Sequence, residues 1–226
     1  MKFLITGCES GLGKFLIQNV PNSIGLSREN FDLVKDDDYD VIVHCAFNKE
    51  NKITDYKKYL DDNIFLTKKI KEIKHQKFIY ISSVDVYQEN DTTYSLFKKF
   101  SESMMDSKDL VLRCSTLIGP TMKKNHIEKI KNSEEITLSQ DSTFHYILMD
   151  DLLEFITKYD VKNFSGVIDF VPNNSMKIIE VSNYFQTKPK FGDYHYTSDY
   201  NFDKPIYKIF NHFDRSSKTN LEKYYG

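Results

Sequence analysis

Six short apolar runs, at about 2–6, 23–27, 40–46, 77–82, 109–115 and 166–171, are continuous rather than alternating. Continuous Val, Ile, Leu and Phe is the pattern of strands buried on both faces, as in a parallel sheet. Between and after these runs, apolar residues recur at helical spacing over about 11–20, 53–73, 94–105, 149–159 and 176–186. Strand and helix in alternation predict right-handed crossovers and a doubly wound parallel sheet covered on both faces, an α/β fold. The stretch from Ser27 to Asp40 is too short for a full crossover helix and its strand, so one unit is reduced. After Gly119-Pro120 the pattern weakens. The expected organisation is a single domain over 1–226, with a core of 1–118 and 146–172 and a small C-terminal lobe of 119–145 and 173–226. The tail is polar but carries Ile206, Ile209, Phe210 and Phe213 as anchors.

Composition narrows the class without choosing within it. At 226 residues and 40% hydrophobic, the chain can bury one good-sized core. A formal charge of −2 gives no electrostatic case for nucleic acid or an anionic membrane. No apolar stretch approaches the ~20 residues that span a bilayer. The N-terminus runs straight into a strand rather than a signal peptide. Cys8, Cys45 and Cys114 sit in or beside strands with no metal-ligand spacing and read as small apolar residues of a reducing, cytoplasmic protein; no metal is expected.

Two motifs carry chemistry. In Gly7-Cys8-Glu9-Ser10-Gly11-Leu12-Gly13, three glycines stand where a strand turns into a helix. Glycine permits the tight turn and close backbone approach, and the helix N-terminus can receive a pyrophosphate. The spacing is G-x-x-x-G-x-G rather than the general G-x-G-x-x-G. The second motif is Tyr94-Ser95-Leu96-Phe97-Lys98, preceded by Ser82-Ser83 at the end of an apolar run. A phenol and an ammonium at i and i+4 share a helix face, and a neighbouring cation lowers a phenol's pKa towards neutral pH. A tyrosine so tuned exchanges a proton with a carbonyl or hydroxyl oxygen. In a chain with 15 Tyr such a pair also arises by chance, and the glycine turn is what gives it weight.

Together these residues resemble the short-chain dehydrogenase/reductase superfamily. Later segments resemble its extended branch, the NAD-dependent epimerase/dehydratase family that modifies nucleotide sugars, of which this would be an unusually short member. Val41-Ile42-Val43-His44-Cys45-Ala46-Phe47 is similar to that branch's fourth-strand motif, which usually ends in two alanines. Asp62-Asn63-Ile64 is similar to its helix motif around a structural Asn. The run from Phe78 to Tyr87 is similar to its fifth strand with the catalytic serine, and Leu112-Arg113, Gly119-Pro120 and Ile147 to Leu152 match further landmarks. The short Ser83-to-Tyr94 interval looks more like the single-domain branch.

The resemblance implies a Rossmann-type fold and an NAD(P)-dependent oxidoreductase or epimerase acting on a nucleotide-linked sugar, by C4 keto reduction or epimerisation. Tyr94 would be the acid/base, Lys98 its pKa-lowering partner and ribose ligand, and Ser83 the donor orienting the substrate oxygen. The cofactor would lie against Gly7, Ser10, Gly11, Leu12, Gly13, Cys45, Ala46, Phe47 and Asn63, with Asp32 and Leu33 flanking the adenine. At the second strand end, Ser27 and Arg28 stand where an NAD site usually places an acid, which favours NADP over NAD; the alternative is an Arg28 paired with Glu29 or with nothing. Asp85 either moves a proton or caps the next turn. The absence of an Asp-Glu pair there argues against a dehydratase. His145 either faces substrate or is structural, and Asp150 and Asp151 cap the helix at Leu152. Two other functions stay open: a non-catalytic NADP-binding sensor, and a reductase of another small carbonyl compound. The helices at 53–73 and 94–105 carry surplus apolar residues, expected either to be covered in a homodimer or to pack within the monomer.

Overall fold

The computed structural model describes residues 1–49 and 55–226. The chain divides into two compact units, Met1–Cys114 with Leu152–Ile168, and Ser115–Asp151 with Asp169–Gly226. The elements run β1 (Phe3–Thr6), α1 (Gly11–Asn19), β2 (Ser23–Leu26), α2 (Phe31–Val34), β3 (Tyr39–His44), α3 (Tyr56–Leu60), a π-helical turn (Asp61–Phe65), α4 (Leu66–Glu72), β4 (His75–Ser83), α5 (Thr93–Ser103) and β5 (Leu110–Cys114). They continue with β6 (Thr116–Ile118), α6 (His126–Lys131), β7 (Thr143–Phe144), β8 (Tyr146–Leu148), α7 (Met149–Lys158), β9 (Gly166–Phe170), β10 (Met176–Lys177), α8 (Ile178–Phe185), α9 (Ile206–Ile209) and α10 (Ser217–Tyr225).

The main sheet has six strands in the order β2-β1-β3-β4-β5-β9, with parallel pairing from β2 through β5. Its strands are the continuous apolar runs: Leu4, Ile5, Val41, Ile42, Val43, Phe78 and Ile79 are fully buried, as burial on both faces requires. The reduced unit is a single helical turn, α2. Because β1 lies between β2 and β3, the chain leaves β1 towards one side and resumes on the other. That reversal makes the C-terminal ends of β1 and β3 the switch point of the sheet, the place where open α/β sheets form their ligand crevice. The expected helix over 53–73 is interrupted by the π turn, and its expected start at 53 lies outside the described residues.

The second unit contains two small strand pairs, β6–β8 parallel and β7–β10 antiparallel. Ile118, Ile127, Ile130, Tyr146, Ile178 and Leu221 form its core. Of the anchors expected in the tail, Ile206 and Phe213 are fully buried and Ile209 and Phe210 partly so. Three helices carried no strong signal: α6, capped by Asn125 Oδ1 on the Ile127 and Glu128 N–H groups, the single turn α9, and α10, capped by Ser216 on Thr219 N–H. No helix among the described residues is long and apolar enough to cross a membrane.

Candidate functional site

The glycine turn is built by steric exclusion. A Cβ on Gly13 would lie 2.2 Å from the Gly7 carbonyl oxygen, so only glycine lets α1 come this close to the end of β1. Gly7 has φ +68°, and a Cβ there would meet the Ala46 nitrogen at 3.0 Å, which brings the turn against the end of β3. Gly11 has φ +56° with open space where its side chain would be. Ser10 is the N-cap of α1 and Leu12 lies in its first turn. This cradle fits a pyrophosphate: the backbone is bare where a phosphate must approach and tight where helix and strand must meet.

Thr6 pins the two strand ends that frame the crevice. Its Oγ1 lies 2.7 Å from His44 Nδ1 and accepts the N–H groups of Cys45 and Ala46, each at 3.0 Å. On the other ring face, His44 Nε2 is 2.9 Å from Thr67 Oγ1, whose own proton goes to the Asn63 carbonyl at 2.6 Å. Only one proton arrangement satisfies all of these bonds. His44 is neutral with its proton on Nε2, donating to Thr67, while the Thr6 hydroxyl donates to Nδ1. Burial agrees, holding the His44 pKa down at about 3. Asn63, itself buried, accepts the Asn48 N–H at 2.7 Å and donates to the Asn48 carbonyl at 3.2 Å, which extends the scaffold to the loop after β3.

At the end of β2 the Ser27 N–H donates to Asn30 Oδ1 at 2.8 Å. Arg28 pairs with Asp62 of the π turn at 2.6 Å rather than with Glu29, and its side chain is 78% exposed. Asp32 pairs with Lys35 at 2.7 Å and Leu33 is 81% exposed, its side chain turned to solvent.

Strand β4 ends at Ser83, whose hydroxyl accepts the Asp85 N–H at 3.2 Å and so caps the 3-10 turn Val84–Tyr87. Ser83, not Asp85, is therefore the cap of that turn. Helix α5 starts from a reciprocal cap between Thr92 and Ser95, which places Tyr94 in its first turn and Lys98 one turn on. The pKa of Tyr94 is raised, first by burial and then by the Asp85 carboxylate, against a lowering influence of the Ser83 side chain. Lys98, expected beside Tyr94, makes its polar contact to the backbone. Its ammonium donates to the Ile81 carbonyl at 2.8 Å and lies over the ring of Phe47 at 4.1 Å, with the rings of Tyr80 and Tyr94 at 4.8 and 5.9 Å. Burial pushes its pKa down to about 7, against a smaller opposing pull from Cys114, Cys45 and Glu102. The pKa of Tyr94 is raised rather than lowered, because burial of the phenol outweighs the other influences on it. Lys49 lies nearer the Tyr94 ring than Lys98 does, at 4.5 Å, and is a residue that no sequence motif singled out.

Ser83, Asp85, Tyr94 and Lys98 all belong to the first unit, as do all the residues expected against the cofactor. His145 belongs to the second. It is buried, with Ser198 Oγ at 2.9 Å from both its Nδ1 and its backbone nitrogen and the ring of Phe202 edge-on, and burial holds its pKa at about 4. This is a packed, neutral imidazole. Helix α7 starts at Met149, so Asp150 and Asp151 lie inside its first turn instead of capping it, and buried Asp151 pairs with Arg215. No group of His, Cys, Asp and Glu among the described residues could hold a metal ion. The second unit also contains an open cavity of about 790 Å³ whose lining includes Lys124, Lys131, Tyr224 and Tyr225.

Strand order, crevice and glycine turn together define a Rossmann-type, doubly wound α/β fold. No family model and no curated protein matches the chain by sequence. Solved structures match it by shape. A dTDP-4-dehydrorhamnose reductase from Yersinia enterocolitica superposes with a TM-score of 0.78 at 19% identity, over 99% of this chain and 98% of that one. A UDP-glucuronic acid 4-epimerase from Bacillus cereus, complexed with a fluorinated UDP-sugar and NAD, gives 0.77 at 17% identity over 100% and 98%. MoeE5 in complex with UDP-glucose and NAD gives 0.76 at 15% identity over 98% of both chains.

Proposed function

We propose that the chain is an NADP(H)-dependent enzyme of the extended short-chain dehydrogenase/reductase branch, reducing or epimerising the C4 position of a nucleotide-linked sugar. The observation that carries this reading is the placement of Ser83 at the end of β4 and Tyr94 in the first turn of α5, with Lys98 one helical turn on. The bare glycine turn at the crevice would hold the pyrophosphate, and an exposed Arg28 can leave Asp62 for a 2′-phosphate. When bound, the nicotinamide supplies or accepts the hydride. Tyr94, kept protonated by burial and by Asp85, gives its proton to the oxygen of the carbon being reduced. Ser83 orients that oxygen. The cavity of the second unit has the chemistry for a nucleoside diphosphate, with lysines for phosphate and tyrosine rings for a base.

One observation favours a second reading, a protein that binds the cofactor without turnover: Lys98 is only 4% exposed and covered by Phe47. A reductase of some other small carbonyl compound uses the same three residues and differs only in the lobe. The test is a thermal-shift and turnover screen of the whole chain with NADPH and NADH against UDP- and dTDP-sugars and their 4-keto forms. Stabilisation by dinucleotide with turnover of a nucleotide sugar is expected. Stabilisation without turnover favours the second reading, and no stabilisation by any dinucleotide rejects both.

A further inference from the structure

The residues assigned to chemistry lie on three separate pieces of backbone: the end of β4 (Ser83), the turn after it (Asp85) and helix α5 (Tyr94, Lys98). One side chain links all three, reaching the turn through Arg113. Glu102, on α5 one turn beyond Lys98, accepts the Ser82 hydroxyl on Oε1 at 2.5 Å. The same carboxylate receives Arg113 of β5 through Nε at 3.1 and 3.2 Å and Nη2 at 2.7 Å. Ser82 and Arg113 are themselves register partners across β4 and β5. The Arg113 guanidinium then lies over the Tyr87 ring at 4.8 Å, so the turn carrying Asp85 packs against the same group.

The ion pair is largely dry, with side-chain exposures of 17% for Arg113 and 11% for Glu102. A pair so placed is a poor way to gain stability, since apolar side chains of similar volume usually do as well or better. What a bidentate Arg–carboxylate contact supplies is direction, because its planar fork tolerates little rotation or sliding. Here that direction sets how α5 is rotated and how far it extends along β4, which decides where Tyr94 stands relative to Ser83.

We propose that Glu102 is a positioning residue, which through Ser82, Arg113 and Tyr87 holds the Ser83, Asp85 and Tyr94 elements in one geometry for proton transfer. The proposal rests on the reading of Tyr94 as the acid/base. Misplacement of a reacting group by about 1 Å can lower turnover by ~10². Glu102→Gln keeps size and one acceptor but loses the charge and the matched fork. Ser82→Ala removes a single bond and leaves the ion pair, which provides a milder variant if Glu102→Gln folds poorly.

The test combines steady-state kinetics with amide hydrogen exchange on the full chain. Glu102→Gln should lower kcat by roughly ten-fold or more, with KM and cofactor Kd within about two-fold of wild type. Ser82→Ala should give a smaller loss of the same kind. In a Tyr94→Phe background, Glu102→Gln should lower kcat much less than it does in the wild type, since most of its effect runs through the phenol. Exchange should rise together in segments 84–87 and 93–98. Unchanged exchange there overturns the proposal whether or not the protein turns over a substrate, and so does a full additional loss of kcat in the Tyr94→Phe background. If the wild type neither binds dinucleotide nor turns over, the functional reading fails, and the exchange result still decides whether Glu102 holds these segments.

Discussion

The ring of Phe47 lies across the ammonium of Lys98, 4.1 Å from Nζ to the ring centre. It also packs edge-on against Tyr94 and Tyr59, at 5.2 and 6.3 Å between centroids. Lys98 is 4% exposed, and the expectation is that this ring screens its Nζ from a bound ribose. Phe47→Ala should therefore tighten dinucleotide binding, because no cation–π contact of ~0.5–2 kcal/mol has to be broken first. That range corresponds to roughly two- to thirty-fold in Kd, measured by fluorescence titration with NADPH. An unchanged or weaker Kd would mean that the ring is not in the cofactor's path.

Removing the phenol oxygen separates chemistry from binding. Tyr94→Phe should fold and bind cofactor nearly as wild type while turnover falls by about 10² or more. Full activity with a verified substrate would rule out Tyr94 as the proton donor.

Cofactor choice turns on Arg28. Its partner Asp62 is the less exposed of the two, at 18% against 78%, so the arginine is the member free to swing. NADP(H) should raise Tm more than NAD(H) at equal concentration, and Arg28→Ala should abolish the difference while leaving the NAD shift nearly intact. Equal shifts in the wild type would remove Arg28 from the site.

Two histidines make the fold acid-sensitive. His44 and His145 are held near pKa 3 and 4 in the folded chain, below the ~6.5 of an unfolded histidine. The unfolded state therefore takes up protons first as pH falls. The stability from each neutral ring is fully present above about 6.5 and is lost as pH falls towards the folded value, at up to ~1.4 kcal/mol per pH unit per histidine. Urea midpoints should drop between pH 7 and pH 5, and His145→Asn should flatten that slope. The imidazole nitrogen signals of His44 should keep the Nε2–H pattern down to pH 5, and protonation of that ring above pH 5 would contradict the network around Thr6.

The two long helices leave apolar residues outside. Tyr59, Ile70 and Phe97 are buried within the chain, whereas Tyr56, Phe65 and Phe100 are exposed at 66, 51 and 50%. A homodimer covering the latter set should sediment above the 26.6 kDa of one chain at micromolar concentration. Phe100→Glu with Phe65→Glu should return it to a monomer. A single 26.6 kDa species in the wild type, unchanged by cofactor, would show that these residues face water.

How much of this could be read beforehand depends on whether a feature leaves a local pattern. The strands of the main sheet did, since burial on both faces forces uninterrupted apolar runs such as Val41-Ile42-Val43. So did the glycine turn, because a close approach excludes every other side chain. The pairs β6–β8 and β7–β10 are two or three residues long, too short for any period to register. The direction of Lys98 was not legible, because i and i+4 spacing fixes a shared face and not a rotamer; the rings of Phe47 and Tyr80 decided it. Thr6 read only as the end of a strand, and its role depends on His44 arriving from thirty-eight positions away.

The π turn at Asp61–Phe65 also bears on which insertions and deletions the chain can tolerate. A π turn holds one residue more than the α-helical turn it replaces. Deleting one residue from this stretch would restore regular helix and rotate everything before it by about 100° relative to everything after it. Thr67 would keep its place against His44, while Tyr59 would swing away from Phe97, whose ring it now meets at 4.6 Å. The loop holding Phe47 and Asn48 would lose its support on that side. A shift of one codon, far from any reacting atom in the sequence, would thus dismantle the wall behind Tyr94.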